Sequence, residues 1–210
     1  MIELWHCADA RSFRVLWGLE ELGVDYRLHL LPFPPRVHAR EFLAINPLGT
    51  IPAFRDGETF MTESAAILQY LAVKYGPQLG VAPDEPDYGA WLNFLVFGEA
   101  SLTFPQAIVL RYSRLEPGKA EVVAEDYAKW FLGRLRWIDR ALADGRDWLV
   151  AGRFTLADAS VGYALLLAHH LKLDETFSPQ IRAYWERLNA RPAFQRAKAA
   201  QKDEALASPF

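Results

Sequence analysis

Apolar and polar positions change their period along this chain, and the changes divide it into two halves. Ile2 to His6 reads as a short strand. Ser12 to Leu22 places Phe13, Leu16, Trp17 and Glu20 at spacings of three and four, with Gly23 as a stop, which predicts a helix. Tyr26 to Leu31 predicts a second strand, and Pro32, Pro34 and Pro35 then break the chain into a loop. His38 to Ala44 is short and helical in pattern. Thr50 to Arg55 and Glu58 to Met61 flank Asp56-Gly57, a two-residue hairpin signal. Glu63 to Tyr75 predicts a further helix, carried by Ala65, Ala66, Ile67, Leu68, Tyr70 and Leu71. Strand, helix, strand, loop, hairpin and helix in that order suit a mixed sheet with helices packed on it.

Gly76, Pro77, Gly80, Pro83 and Pro86 fall within eleven positions, a linker composition. Everything beyond it reads as helical. Tyr88 to Tyr112 is long and aromatic, with Pro105 expected to kink or break it. Glu121 to Ala143 and Ser178 to Asn189 are amphipathic, and Thr155 to His170 is apolar enough to be a buried central helix. Thr155 and Asp158 have capping-box spacing, which marks that helix start as structural rather than catalytic. The expected division is an α/β domain over 1–78, a linker over 79–86 and an all-α domain over 87–210.

Composition narrows the function classes. Half of the 210 residues are apolar, enough for a sizeable core. A net charge of -3 gives no general attraction to nucleic acid or to an anionic membrane. Cys7 is the one cysteine, so an intramolecular disulfide is excluded and a reducing compartment favoured. Met-Ile-Glu-Leu-Trp is no signal peptide, and no uninterrupted apolar run reaches the roughly 18 residues of a membrane span. The expectation is a soluble cytoplasmic protein. His169-His170 lacks acidic or cysteine partners at ligand spacing and reads as a helix-end pair; no metal site is expected.

The stretch from Asn46 to Ser64 carries the most chemistry. Pro52 cannot donate to a ladder, so Ile51-Pro52 belongs at a strand edge or start. A cis bond there would leave the backbone groups of Ile51 free to pair with an extended peptide. Glu63-Ser64 opens a helix, where free amides take a carboxylate and Glu63 takes an ammonium. Together these features suit a small zwitterionic peptide.

This segment closely resembles the glutathione-binding segment of the soluble glutathione transferases. Arg11 to Gly23 resembles the first helix of that family, Phe154 to Asp158 its C-terminal capping motif, and Tyr184 to Phe194, with Arg191-Pro192-Ala193-Phe194, its late helix. The resemblance covers nearly the whole chain. It implies a thioredoxin-like α/β N-terminal domain, an all-α C-terminal domain, glutathione as co-substrate and a homodimer. It implies that Ile51, Pro52, Glu63 and Ser64 bind glutathione, with Arg36, His38 or Arg40 near its glycine carboxylate. The acceptor would be a small electrophilic or hydrophobic molecule between the halves, with Phe94, Phe97, Ser101 and Phe104 as a candidate lining, or else simply core. Tyr112 and Arg111 lie further along the same helix.

The thiol activator departs from the family pattern. A Tyr, Ser or Cys is usual there, but the tyrosine position falls on Trp5, the serine position on Asp9 or Ala10, and the cysteine position on Arg11. Ser12, Arg11 and Cys7 are the remaining local candidates: Ser12 as donor or simple N-cap, Arg11 as charge partner or solvated side chain, Cys7 as nucleophile or buried strand-end residue. Asp9 would raise a nearby thiol pKa, leaving it at most a local base. Transfer to an electrophilic carbon, ether cleavage, dehalogenation, isomerisation and peroxide reduction all stay open. So do a non-catalytic glutathione- or partner-binding role and thiol reduction through Cys7.

Overall fold

The computed structural model describes residues 1–203, which form two compact units. Met1–Leu79 and the described residues from Asn189 onward make the first; Gly80–Leu188 make the second.

In the first unit, β1 (Ile2–His6) leads to α1 (Phe13–Leu22) and β2 (Tyr26–Leu30). A short α2 (Pro35–His38) and a 3-10 turn (Arg40–Ala44) follow, then β3 (Ala53–Asp56), β4 (Thr59–Met61) and α3 (Ser64–Tyr75). The sheet runs β2-β1-β3-β4, with β1 parallel to β2 and antiparallel to β3. The hairpin forms at Asp56-Gly57, where Gly57 takes a φ of 59°. The strand expected over 50–55 starts later, at Ala53, because the ladder between β1 and β3 ends at the Trp5–Ala53 pair. Tyr70, Lys74 and Tyr75 all donate to Asp56 Oδ2, tying α3 to the hairpin. Those donors hold the Asp56 carboxyl down at about 2, against the opposing effect of its burial.

Helix α1 is buried without interruption from Phe13 to Leu19. Its cover includes α9 (Pro192–Ala200) as well as α3. Phe194 packs edge-on against Phe13 and Trp17, with ring centroids 5.3 Å and 5.0 Å away. Arg191 forks onto Glu21 at 2.6 Å and 2.8 Å, and Trp17 Nε1 donates to the same carboxylate. The expected boundary assigned everything after residue 87 to the helical domain. The contacts instead return the chain to the first unit after α8, and Pro192 opens α9 as a separate helix.

The second unit is helical. The expected break at Pro105 takes another form: α4 (Tyr88–Phe97) runs through a π turn (Gly98–Thr103) into α5 (Phe104–Leu110) and a second π turn (Arg111–Leu115). Pro105 has no N–H for the carbonyl one turn back, and the wider turn just before it accommodates this, with Thr103 Oγ1 donating to the Gly98 carbonyl at 2.7 Å. Gly98 sits where a Cβ would meet Ser160 at 2.4 Å, so only glycine allows this helix crossing. The run Tyr88–Leu115 is long and apolar enough to cross a membrane by length and composition, but α4 and the first π turn pack on α7 as core. Next come α6 (Glu121–Ala141), α7 (Leu156–His170) and α8 (Pro179–Asn189). The expected linker is held to this unit: Arg153 Nη2 donates to the Gly80 carbonyl and to Glu85 at 2.9 Å.

The capping box at Thr155 and Asp158 is formed as expected. Asp158 is fully buried; Oδ1 accepts the Leu149 N–H and the Tyr184 hydroxyl, and Oδ2 accepts the Thr155 N–H. Truncation strands three donors in the core. Asp158→Ala should therefore cost about 3 kcal/mol or more, read as a fall in the urea midpoint of unfolding with no change in slope.

Candidate functional site

The site is built from two helix starts and one turn of the first unit. The turn runs from Asn46 to Thr50. Asn46 is buried; its side chain donates to the Thr50 carbonyl at 2.7 Å and accepts the Leu48 N–H at 3.1 Å. Gly49 has a φ of 61°, and a Cβ there would meet the Arg36 Cβ at 2.7 Å, so both backbone and space demand glycine. This turn delivers Ile51-Pro52, whose peptide bond is cis as expected. Ile51 lies beyond the last ladder pair, and neither of its backbone polar groups has a partner among the described residues. Its side chain joins a buried cluster with Trp5, Cys7, Ala10, Phe42 and Ala53. The cluster places Ile51 against the segment that leads into α1.

At the start of α3, Glu63 is the N-cap residue rather than the first helical one, and its side chain makes no capping bond. It is exposed and has no ion-pair partner among the described residues. Ser64 is buried and accepts a hydrogen bond from Arg14 Nη1 at 2.7 Å. Arg14 is itself fully buried. A guanidinium donates only, so the Ser64 hydroxyl keeps its own proton to give outward. Guanidinium, hydroxyl and unbonded first-turn amides together make a strong anion seat. Arg14 was not a sequence candidate; a charged residue inside the apolar run Phe13–Leu19 was its only signal.

The start of α1 corrects two expectations. Ser12 caps nothing with its side chain. Its oxygen is fully buried, lies 2.7 Å from His6 Nδ1 and accepts the Cys7 N–H at 3.4 Å. His6 Nε2 meets Gln201 Oε1 at 3.0 Å, and that same oxygen accepts the Asp9 N–H at 3.0 Å. Nε2 must then carry the hydrogen, Nδ1 is the bare acceptor, and the Ser12 hydroxyl spends its proton on it. The hydroxyl therefore faces the interior and does not serve as the exposed donor. Cys7 fails as a nucleophile for a related reason. Its thiol is fully buried against the Pro32 carbonyl, and burial pushes its pKa up to about 12. A reactive thiol needs the opposite shift.

What stays accessible at this helix start is Arg11, half-exposed; Ser12 is buried as a whole, although its amide has no partner among the described residues. Arg36, His38 and Arg40 are all exposed, with no ion-pair partner among the described residues, and the structure does not single one out. In the second unit the aromatic stripe is split: Phe94 is core, Phe97 half-buried and Phe104 exposed. Arg111 pairs with Glu116 at 3.0 Å. His169 pairs with Asp174 at the end of α7, and no group of metal-ligating side chains occurs among the described residues.

A family model described as glutathione S-transferase, N-terminal domain, matches residues 7–79, and one described as glutathione S-transferase, C-terminal domain, matches residues 106–192. The chain belongs to the glutathione S-transferase family. Glutathione S-transferase 3 of Zea mays is 31% identical over 198 residues, spanning 89% of this chain and 88% of that relative. Glutathione S-transferase GstA of Escherichia coli O157:H7 is 30% identical over 207 residues, spanning 95% and 98%. Among solved structures, a glutathione transferase from Methylococcus capsulatus str. Bath superposes with a TM-score of 0.85 at 28% identity, over 96% of this chain and 98% of that one. A sphingomonad glutathione S-transferase complexed with glutathione gives 0.83 at 26%, over 95% and 98%. The expected family and fold, a small mixed sheet followed by a helical domain, are borne out.

Two outcomes follow from the burial of Cys7 and His6. With its pKa near 12, native Cys7 should react with a disulfide reagent at neutral pH roughly 1,000-fold more slowly than the same thiol in urea. Burial holds His6 down at about 4, against opposing contributions from Gln201 and Asp9. The unfolded chain binds a proton at His6 near pH 6.5 and the folded chain does not. This site's contribution to stability is therefore complete above about pH 6.5 and is lost as the pH falls toward 4. Urea titrations should show that loss in the wild type and a shallower one in His6→Asn.

Proposed function

We propose that this protein is a glutathione transferase whose thiol activator is the start of α1, acting through the half-exposed Arg11 guanidinium and the positive end of the helix. The observation that carries the reading is the pairing of an unladdered Ile51 backbone with the anion seat at Ser64, both on one compact unit. Ile51 exchanges backbone hydrogen bonds with the cysteinyl residue of glutathione, as an added strand does, and Pro52 shapes the turn. Ser64 and the first amides of α3 take the γ-glutamyl carboxylate, with the Arg14 charge behind them. Glu63 takes the ammonium. His38 and Arg40, with Arg36, supply exposed cations for the glycine carboxylate.

Bound this way, the sulfur meets the segment entering α1. A free thiol near pKa ~8.5 is only a few per cent ionised at neutral pH. Lowering it by about two units takes roughly 2.7 kcal/mol. One or two charge-assisted hydrogen bonds, at about 1.5–3 kcal/mol each, supply that. An N–H at a helix start and a guanidinium both favour the anion. The thiolate then attacks an electrophilic, apolar acceptor. The same reading carries a cytoplasmic homodimer in a detoxifying role.

One observation favours a second reading. No side-chain hydroxyl or thiol faces out at the start of α1, as a protein that holds glutathione without turning it over would have it. Turnover of 1-chloro-2,4-dinitrobenzene decides between them. The transferase reading expects measurable kcat, a loss of about tenfold or more in kcat/KM for Arg11→Met, and no change for Cys7→Ser. Ser64→Ala should raise the KM for glutathione about tenfold, one lost hydrogen bond to a charged group. Glutathione affinity without turnover on any electrophile establishes the second reading, and activity abolished by Cys7→Ser establishes a thiol reductase.

A further inference from the structure

The segment between β1 and α1 is held by residues nearly two hundred positions away. Gln201, at the C-terminal end of α9, is buried and bonds to three groups of this segment. Its Oε1 accepts from His6 Nε2 and from the Asp9 N–H, each at 3.0 Å, and its Nε2 donates to Asp9 Oδ1 at 2.6 Å. Lys198, one turn earlier, donates to the same Asp9 oxygen at 2.6 Å. Asp9 is buried and takes a φ of 53°, left-handed backbone that a non-glycine residue adopts at a cost. Two donors on its carboxylate and an acceptor on its own N–H hold it there. The chain of bonds continues inward through His6 to the Ser12 hydroxyl and the Cys7 N–H.

Given the function proposed above, on which this inference rests, we propose that Gln201 and Lys198 are positioning residues for the thiol. Through Asp9 and His6 they set where the Ser12 amide and Arg11 stand at the start of α1. They touch neither glutathione nor the acceptor. The arrangement has a direction to it. A glutamine presents an acceptor and a donor on one planar group, matching an N–H and a carboxylate on a single residue, Asp9. Leucine fills the same space and supplies neither. Glutamate would set two carboxylates against each other.

Two proteins test this: Gln201→Leu and Lys198→Met, which removes only the ammonium from Asp9. The readouts are hydrogen exchange of residues 8–14, the Kd for glutathione, the KM for the acceptor and the pH midpoint of kcat/KM for glutathione. Gln201→Leu should speed exchange at 8–14 about tenfold or more, weaken glutathione about tenfold and move the pH midpoint upward. The acceptor KM should stay within about twofold, a split that general destabilisation does not produce. If Gln201→Leu does not fold, Lys198→Met carries the test with smaller shifts in the same directions.

A folded Gln201→Leu protein with unchanged glutathione affinity and pH midpoint overturns the proposal. A wild type that fails to bind glutathione sinks the transferase reading instead. Exchange at 8–14 then decides the positioning claim alone, with faster exchange in Gln201→Leu supporting it and unchanged exchange overturning it.

Discussion

From Phe13 to Leu19, helix α1 has no face left for water. Seven consecutive residues, Phe13 to Leu19, are buried, so the helix needs cover all round, and the rest of the first unit is arranged to give it. Helix α3 covers one flank and α9 another. Because α9 comes from the far end of the chain, the fold must carry its C-terminal segment back to the N-terminal unit. Phe194 and Arg191 secure it there, on Trp17 and Glu21.

The same burial distributes the chemistry. Arg14 lies inside the buried run and cannot reach water, so its charge is directed at Ser64 and the first turn of α3. A buried guanidinium is costly unless it is hydrogen-bonded and faces negative charge. A carboxylate seated at α3 would meet that guanidinium through the Ser64 hydroxyl it already holds. Two residues earlier, at the start of α1, the inward bond from Ser12 to His6 takes the hydroxyl away from the site. The helix start keeps the half-exposed Arg11 guanidinium. In the proposed reading the thiolate would be stabilised by a charge that does not switch off near neutral pH.

Local signals were legible in the chain. Ile51-Pro52, Asp56-Gly57 and Thr155 with Asp158 each depend on neighbours within a few residues, and each forms as its spacing implies. The pattern also marked Ser64 at a helix start. What stayed hidden depends on distant partners. Arg14 meets Ser64 across 50 positions and His6 meets Gln201 across 195, and no local period encodes either contact. Ser12 shows the limit most sharply: its place beside the helix start was readable, but the direction of its hydroxyl depends on His6, whose tautomer depends on Gln201. The late-helix resemblance at Arg191-Pro192-Ala193-Phe194 likewise does not say which unit buries that segment.

The most direct measurement is the ultraviolet thiolate absorbance of bound glutathione as a function of pH. The account predicts a bound thiol about two units below the free value of ~8.5, depressed equally in Cys7→Ser and much less in Arg11→Met. A bound thiol that titrates like free glutathione would contradict it.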